Sequence, residues 1–213
     1  MKFEHLLQIV GDEPLFETGL LLAGSIDPND VQRQLSRWVR AGRLYLLRRG
    51  LYALAPPFQK IKPHPFVIAN HLVRGSIVSL HSALAHYGLI PDLVPVVTSV
   101  TARRPARWDT PLGVYEFRHV KAAWLNAYRL VEVSPGQQAF VATPEKALLD
   151  FAYLYPATDN PLYLQELRLQ NLECIDIDVL KHLAEQSGKP KLRRFVAFVE
   201  ELAHREAQEY EMI

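Results

Sequence analysis

The chain contains one cysteine, Cys174, among 213 residues. A single thiol excludes an intramolecular disulfide and a thiolate zinc cluster, so we expect Cys174 to be a small buried apolar residue. The sequence also has no apolar run of the length that a bilayer-spanning helix requires. Residues 1–5 lack the charged-then-apolar design of a signal peptide. We therefore expect a cytoplasmic protein with no membrane partner.

The common signatures of catalysis are missing as well. The sequence has no glycine-rich phosphate loop ending in Lys-Ser/Thr, no Gly-x-Ser-x-Gly elbow and no His-Glu-x-x-His helix. His81 and His86 are five residues apart, which on a helix turns them to opposite sides rather than towards one metal. We predict no catalytic residue, no metal site and no cofactor, and hence that the chain is not an enzyme.

One pattern keeps an enzymatic alternative open. Gly75-Ser76 and Asp176-Ile-Asp178 resemble the Gly-Ser and Asp-x-Asp elements with which nucleotidyltransferases hold a phosphate and two metals. Those elements ordinarily lie about a dozen residues apart on adjacent strands, whereas here about a hundred residues separate them. We therefore interpret Asp176 and Asp178 as caps of the helix that follows.

Charge is close to balanced overall but is unevenly distributed. The chain carries a net charge of +1 at pH 7, and its 49% hydrophobic and 22% charged residues are those of an ordinary soluble globular protein. Residues 29–60 contain seven lysines and arginines and one acidic residue. A local excess of cations on this scale is typical of a DNA-binding module.

An amphipathic helix is predicted within that basic segment. Asp27 is a suitable N-cap, Pro28 fits the first turn, and Gly42 is expected to end the helix. One stripe must be buried and consists of Val31, Leu35, Trp38 and Val39. The opposite face carries side chains that can hydrogen-bond bases and phosphates: Asn29, Gln32, Arg33, Ser36, Arg37 and Arg40. A solvated amphipathic surface is the alternative interpretation.

A β-hairpin is predicted after this helix. Residues 43–54 are rich in aromatic and branched side chains, and Gly50 allows a tight turn. Arg48 and Arg49 would stand at the tip and reach phosphates, and Arg43 is included among the predicted DNA contacts. The hairpin and the basic helix together favour a DNA-binding role over a merely solvated surface.

Two domains are expected in a chain of this length. A first helix at 3–10, a second at 14–23, the basic helix and the hairpin would form a winged helix-turn-helix over residues 1–62. The second helix is expected to face inward through Leu15, Leu20, Leu21 and Leu22. A stiff proline-rich connector places the boundary near Pro63. Residues 63–213 are expected to form a larger α+β domain with a small sheet and several helices, which makes the predicted fold class α+β.

Within the larger domain, partner strands are predicted at 94–101 and 114–120. A basic loop at 103–108 would join them, and Arg103, Arg104 and Arg107 there form a second basic patch that could contact phosphate or a protein partner. A solvated turn is the alternative. Helices are predicted at 66–73, 79–87, after the N-cap Thr143, and at 161–169, 178–185 and 191–209.

Four segments, taken in order, resemble the AbiEi family of type IV toxin–antitoxin antitoxins and its neighbours among predicted transcriptional regulators of phage defence. They are RRGLYAL, SLHSALAHYGL, TSVTARR and ATPEKALLDFAY, and the similarity covers residues 15–155. The resemblance implies a two-domain repressor whose winged helix binds inverted repeats in its own promoter. It also implies a C-terminal domain that counteracts a nucleotidyltransferase-like toxin. DNA contact would belong to Gln32, Arg33, Ser36, Arg37, Arg40, Arg48 and Arg49.

The sequence thus predicts a DNA-binding transcriptional regulator that acts as an autorepressing antitoxin. Its expected partners are double-stranded operator DNA and a toxin, and the chain would be a monomer or weak dimer. One alternative is a nucleic-acid-processing enzyme of the nucleotidyltransferase type that uses the winged helix to dock. Another is a winged-helix module that binds protein.

Overall fold

The computed structural model describes residues 2–22, 27–91, 94–156, 158, 160 and 167–211, and the expected α+β class is confirmed. The helices are α1 Phe3–Val10, α2 Pro28–Arg40, α3 Pro65–Leu72, α4 Leu80–His86, α5 Pro144–Leu154, α6 Ile177–Gln186 and α7 Pro190–Glu211. The strands are β1 Phe16–Glu17, β2 Leu44–Arg48, β3 Leu51–Leu54, β4 Ile77–Val78, β5 Val96–Thr101, β6 Ala106–Thr110, β7 Gly113–His119, β8 Tyr128–Ser134 and β9 Gln137–Ala142.

Strand β3 is the centre of a three-stranded antiparallel sheet with the order β1-β3-β2. All four of its residues are buried, because alternate side chains pack on opposite faces. Tyr52 and Leu54 join the hydrophobic cluster of the N-terminal helices, whereas Leu51 and Ala53 join the cluster that extends through the rest of the chain. The predicted hairpin therefore forms and is covered on both sides.

The buried stripe of α2 was predicted correctly. Val31, Leu35 and Trp38 are at most 7% exposed, and Val39 packs partly against the same cluster. The Phe3 ring from α1 meets the Trp38 indole edge-on, with ring centroids 5.2 Å apart. These contacts turn the opposite, polar face of α2 towards solvent.

The α-helix predicted at 14–23 does not form over its described residues, and only Thr18–Leu21 among them are helical. Phe16 and Glu17 form β1 instead and pair with Tyr52 and Leu51, and a 3-10 helix at Thr18–Leu21 follows. The backbones of Phe16 and Glu17 pair with β3, and this tertiary pairing outweighs the local helix propensity of the segment. As a result Leu20 is 45% exposed rather than inward-facing. Residue 23 lies outside the described residues.

A six-stranded mixed sheet has the order β6-β7-β5-β4-β9-β8. The predicted pairing of the strands near 94–101 and 114–120 is confirmed, and β5 and β7 run parallel from Val96↔Val114 to Thr101↔His119. Helix α3 contacts β4, β5 and β9, and α4 and α5 contact β5 and β9 respectively. The helices bury one continuous core against this sheet.

The basic loop predicted at 103–108 is shorter than expected. It ends at Pro105, because residues 106–110 form β6 and pair antiparallel with β7. Arg107 and Trp108 are consequently strand residues. The β8–β9 hairpin and the short β4 were not predicted, and most of the helix expected at 161–169 lies outside the described residues.

Cys174 was predicted to be buried, but it is exposed. It ends a 3-10 helix at Leu172–Cys174, in which the core positions are taken by Leu172 and, just beyond the helix, Ile175. Cys174 is therefore not part of the hydrophobic core. Asp176 caps the following helix as predicted, since its carboxylate accepts hydrogen bonds from the backbone of Asp178 and Val179. Asp178 was also predicted to be a cap, but it lies inside the first turn of that helix.

A buried ion pair lies where α4 and α5 meet. Lys146 and Asp150 form a salt bridge one helical turn apart on α5, with side chains 2% and 0% exposed. The Asp150 carboxylate also accepts hydrogen bonds from Ser79 Oγ at 2.7 Å and Trp124 Nε1 at 2.6 Å. Burial raises the pKa of Asp150 and lowers the pKa of Lys146, and each charge opposes the shift of the other. The network joins two of the segments that carry the family resemblance.

Removing one partner of this pair should destabilise the fold strongly. We expect Asp150→Ala to lower the free energy of unfolding by about 3 to 5 kcal/mol, because the Lys146 ammonium would be left buried without a counter-charge. Urea denaturation followed by circular dichroism measures the change. Asp109→Ala, which removes an exposed carboxylate and its surface ion pair with Arg107, should change it by less than about 1 kcal/mol. Equal unfolding midpoints for the two variants would contradict the structural role of the pair.

Candidate nucleic-acid interface

Helix α2 begins as the sequence predicted. Asp27 is the N-cap, its Oδ1 accepts the Asn29 backbone N–H at 2.9 Å, and Pro28 occupies the first turn. The helix ends at Arg40, and Gly42 follows with a φ of 68° that favours glycine. The cap and this stop fix the length of helix over which the polar face is presented.

The polar face of α2 is an open surface that borders about 650 Å³ of solvent-accessible space, and it is called the α2 groove below. It is lined by Asp27, Asn29, Gln32, Arg33, Ser36, Arg37 and Arg40. All six polar residues that the sequence singled out on this helix are therefore brought together on one exposed surface.

The six side chains differ in how they are already engaged. Arg33 forms an exposed ion pair with Asp30, and Ser36 Oγ donates to the Gln32 carbonyl at 2.9 Å. Arg37 and Arg40 have no side-chain hydrogen bond or ion pair with any residue that the structure describes. Arginines in that state can donate paired hydrogen bonds to a base edge or a phosphate without first breaking a contact.

Arg43 lies apart from this groove. Its guanidinium stacks over the Phe3 ring, 4.9 Å from the ring centroid, and its backbone carbonyl accepts the Ala55 N–H. Arg43 thus fastens the start of the hairpin to α1, and it is absent from the groove lining.

Arg48 does not project freely from the hairpin tip. A β-bulge shifts the register between Leu46 and Arg48, and the Arg48 side chain is 25% exposed. Its Nε and Nη2 donate to the His71 carbonyl at 3.3 and 3.2 Å, and Nη2 also contacts Glu17 Oε1 at 3.3 Å. Arg48 therefore attaches the hairpin to α3, and Arg49 is the exposed cation of the tip.

The hairpin tip meets the basic loop of the sheet. Arg48 and Arg49 line a cleft of about 600 Å³ together with Arg74, Arg103 and Arg104. This cleft shares no lining residue with the α2 groove. The structure thus separates the predicted basic residues into two surfaces, one on α2 and one between the hairpin and the sheet.

Arg107 is not part of that cleft. On β6 its guanidinium lies 3.5 Å from Asp109, and it does not line the cavity with Arg103 and Arg104. The second basic patch that was predicted from the sequence therefore keeps two of its three members and gains the hairpin arginines.

The sequence pattern did not place Arg74 and Trp108 in this cleft, or Glu17 beside it. Arg74, in the turn after α3, lines it, as does Trp108, and Glu17 binds both Arg74 and Arg48. Arg74 stands directly before Gly75, whose φ of 80° marks a turn, so a basic turn could have been noticed. The positions of Glu17 and Trp108 depend on strand pairing that the sequence pattern did not reveal.

His81 and His86, which were considered above as metal ligands, lie in aromatic surroundings on α4. His81 packs edge-on against Phe151 and Tyr155, and His86 packs against Phe66 and Tyr87. Burial lowers the pKa of His86. In the part of the chain that the structure describes, no group of three or more histidine, cysteine or acidic side chains could hold a metal ion.

Comparisons with known proteins bear on the fold. No family model matches the chain, and no curated protein matches it. Among solved structures, it is similar to the crystal structure of the RV2827C protein from Mycobacterium tuberculosis, with a TM-score of 0.59 and 18% sequence identity. The match covers 92% of this chain and 75% of that one. At this identity the likeness concerns the fold alone.

Over the described residues, no helix combines the length and hydropathy needed to cross a membrane.

The N-cap of α2 should contribute measurably to stability. We expect Asp27→Ala to lower the free energy of unfolding by about 1 kcal/mol, because the Asn29 N–H loses its acceptor. Asp27→Asn keeps a side-chain oxygen at the same position and should stay near the wild-type value. Urea titrations of the three proteins measure both effects, and an identical loss in the two variants would argue against a capping role.

Proposed function

We propose that the N-terminal part of the chain is a winged helix and that it binds double-stranded DNA through the groove on α2. The protein would act in the cytoplasm as a transcriptional regulator of its own promoter. The observation that carries this proposal is the single exposed groove in which Asn29, Gln32, Arg37 and Arg40 stand together on one helix. Arginine can donate two hydrogen bonds to guanine or to a phosphate, and asparagine and glutamine can each form two hydrogen bonds with adenine.

The surroundings of α2 support its use as a recognition helix. Its apolar stripe is fixed against α1 and the three-stranded sheet, so the polar face is held on a rigid support. A helix of 13 residues with one continuous exposed polar face can lie in a major groove. The element order supports the proposal: α1, β1, a 3-10 helix at Thr18–Leu21, α2 and the β2–β3 hairpin follow one another, with the 3-10 helix in the place of the middle helix of a winged helix.

We further propose that the protein is the antitoxin of a type IV toxin–antitoxin pair. The support is the ordered resemblance of four segments to the AbiEi family. Two of those segments meet at the buried contact between Ser79 and Asp150. The C-terminal α+β part would then counteract a toxin of the nucleotidyltransferase class, and the chain would bind operator repeats as a monomer or weak dimer.

The proposal predicts that Arg37 reads sequence. With a fluorescent duplex taken from directly upstream of its own gene, we expect Arg37→Ala to weaken binding about 5- to 150-fold, since one good base contact is worth about 1 to 3 kcal/mol. Binding to a scrambled duplex of the same length should fall much less. Fluorescence anisotropy at several salt concentrations measures both affinities and the expected decrease of affinity with salt.

Arg193→Ala is the matched control for that experiment, because Arg193 is an exposed helical arginine on α7, outside the α2 groove. It should leave both affinities unchanged. Absence of binding to the upstream duplex at low salt would refute DNA recognition. An equal loss on both duplexes with Arg37→Ala would assign that residue to the phosphate backbone.

The antitoxin assignment predicts a functional partner gene. We expect a nucleotidyltransferase-like open reading frame directly downstream, whose expression alone arrests growth. Co-expression of this protein should restore growth, and Arg37→Ala should restore it equally because neutralisation belongs to the C-terminal part. Growth curves of the three strains, which express the toxin alone, with the wild-type protein or with Arg37→Ala, measure the effect. Continued arrest in the presence of the wild-type protein would refute the assignment and leave DNA binding untouched.

A further inference from the structure

Five arginines from three separate elements line the cleft between the β2–β3 hairpin and the six-stranded sheet. The hairpin supplies Arg48 and Arg49, the turn after α3 supplies Arg74, and the β5–β6 loop supplies Arg103 and Arg104. The cleft is open to solvent and has a volume of about 600 Å³, which is large enough for a small molecule. Only the folded chain brings these residues together, so the cleft is a feature of the tertiary structure.

One carboxylate offsets part of this positive charge. Glu17 lies 2.5 Å from Arg74 Nη2 and 3.3 Å from Arg48 Nη2. Over the described part of the chain, the guanidinium groups of Arg49, Arg103 and Arg104 have no hydrogen bond or ion pair. A concave surface with several cations and one anion focuses a positive potential, which attracts anionic ligands.

One arginine side chain of the cleft and the backbone of another are held in place before any ligand arrives. The Arg103 backbone is held on both sides, because its N–H donates to Thr101 Oγ1 at 3.2 Å and its carbonyl accepts from His119 Nδ1 at 3.0 Å. Arg48 is held by the His71 carbonyl and by Glu17. Fixed ligand-binding groups lose less conformational entropy on binding, and this favours affinity.

The cleft also has an apolar side. Leu72, Val73, Ala106 and Trp108 line it beside the arginines. The Trp108 Nε1 is buried and has no acceptor in the described residues. A ligand with an apolar or aromatic body next to its charged groups would match this division of the lining.

We propose that this cleft binds a small ligand that carries two or more phosphates, such as a nucleoside triphosphate. Guanidinium groups bind phosphate oxygens through paired N–H bonds, and the body of the ligand would contact Val73 and Trp108. The mixed lining, in which Val73 and Trp108 stand beside the arginines, favours a small molecule with an apolar body over a nucleic-acid backbone, which presents only phosphate and sugar.

Isothermal titration calorimetry with ATP and with inorganic tripolyphosphate, on the full chain at physiological ionic strength, tests the site. We expect both probes to bind, and Arg103→Ala/Arg104→Ala to weaken each at least tenfold. Arg107→Ala is the matched control, since Arg107 lies close by but outside the cleft, and it should bind like the wild type. Arg37→Ala should also bind like the wild type. Arg103, Arg104 and Arg107 are all exposed, so their replacement should leave the thermal unfolding midpoint, measured by circular dichroism, unchanged.

Failure of both probes to bind, or equal binding by the wild type and the double variant, would overturn the proposal. If neither ATP nor tripolyphosphate bound the wild type, and the double variant lost affinity only for a scrambled duplex, the cleft would be a contact for the nucleic-acid backbone. That result would also overturn the proposal. Loss of operator binding in Arg37→Ala with undiminished ATP binding would separate the two sites.

Discussion

The burial of β3 on both faces determines where the basic residues of the N-terminal part can stand. A two-stranded hairpin is only marginally stable in water by itself. Here Tyr52 and Leu54 fill one cluster while Leu51 and Ala53 fill the other, and all four are at most 7% exposed. Each large apolar side chain so buried contributes about 1.5 to 3 kcal/mol. The hairpin is thus held between the N-terminal helices and the rest of the chain.

This double coverage gives the hairpin a different role from that of a free wing. A wing attached only at its base can adjust to a phosphate backbone, but here Arg48 fastens the tip to the end of α3. Arg49 is left as the exposed cation, and it faces the arginines of the β5–β6 loop across a cleft. The surface proposed for base reading therefore belongs to α2, and the hairpin connects α2 with the larger part of the molecule.

The sequence predicted the elements whose signals are local. Helix α2 follows from the cap at Asp27, the stop at Gly42 and the spacing of Val31 and Leu35, and the structure agrees on each. Phe16 and Glu17 could not be placed in the same way, because their strand exists only through pairing with β3, which lies more than thirty residues away in the chain. The partition of the arginines into two surfaces depends on that same long-range pairing. The candidate helix face was therefore predictable, and the cleft was not.

The distribution of charge explains why a nearly neutral chain can offer two basic surfaces. Side-chain charges act over about 8 Å at physiological ionic strength, so the local arrangement and not the net charge sets the potential at each surface. In the α2 groove, Asp30 engages Arg33 and leaves Arg37 and Arg40 as the donors. In the cleft, the Glu17 carboxylate of β1 contacts Arg48 of the hairpin and Arg74 of the turn after α3. It holds these two guanidinium groups close together and neutralises only part of the positive charge. A further anion in the cleft would lower the electrostatic repulsion that remains among these guanidinium groups.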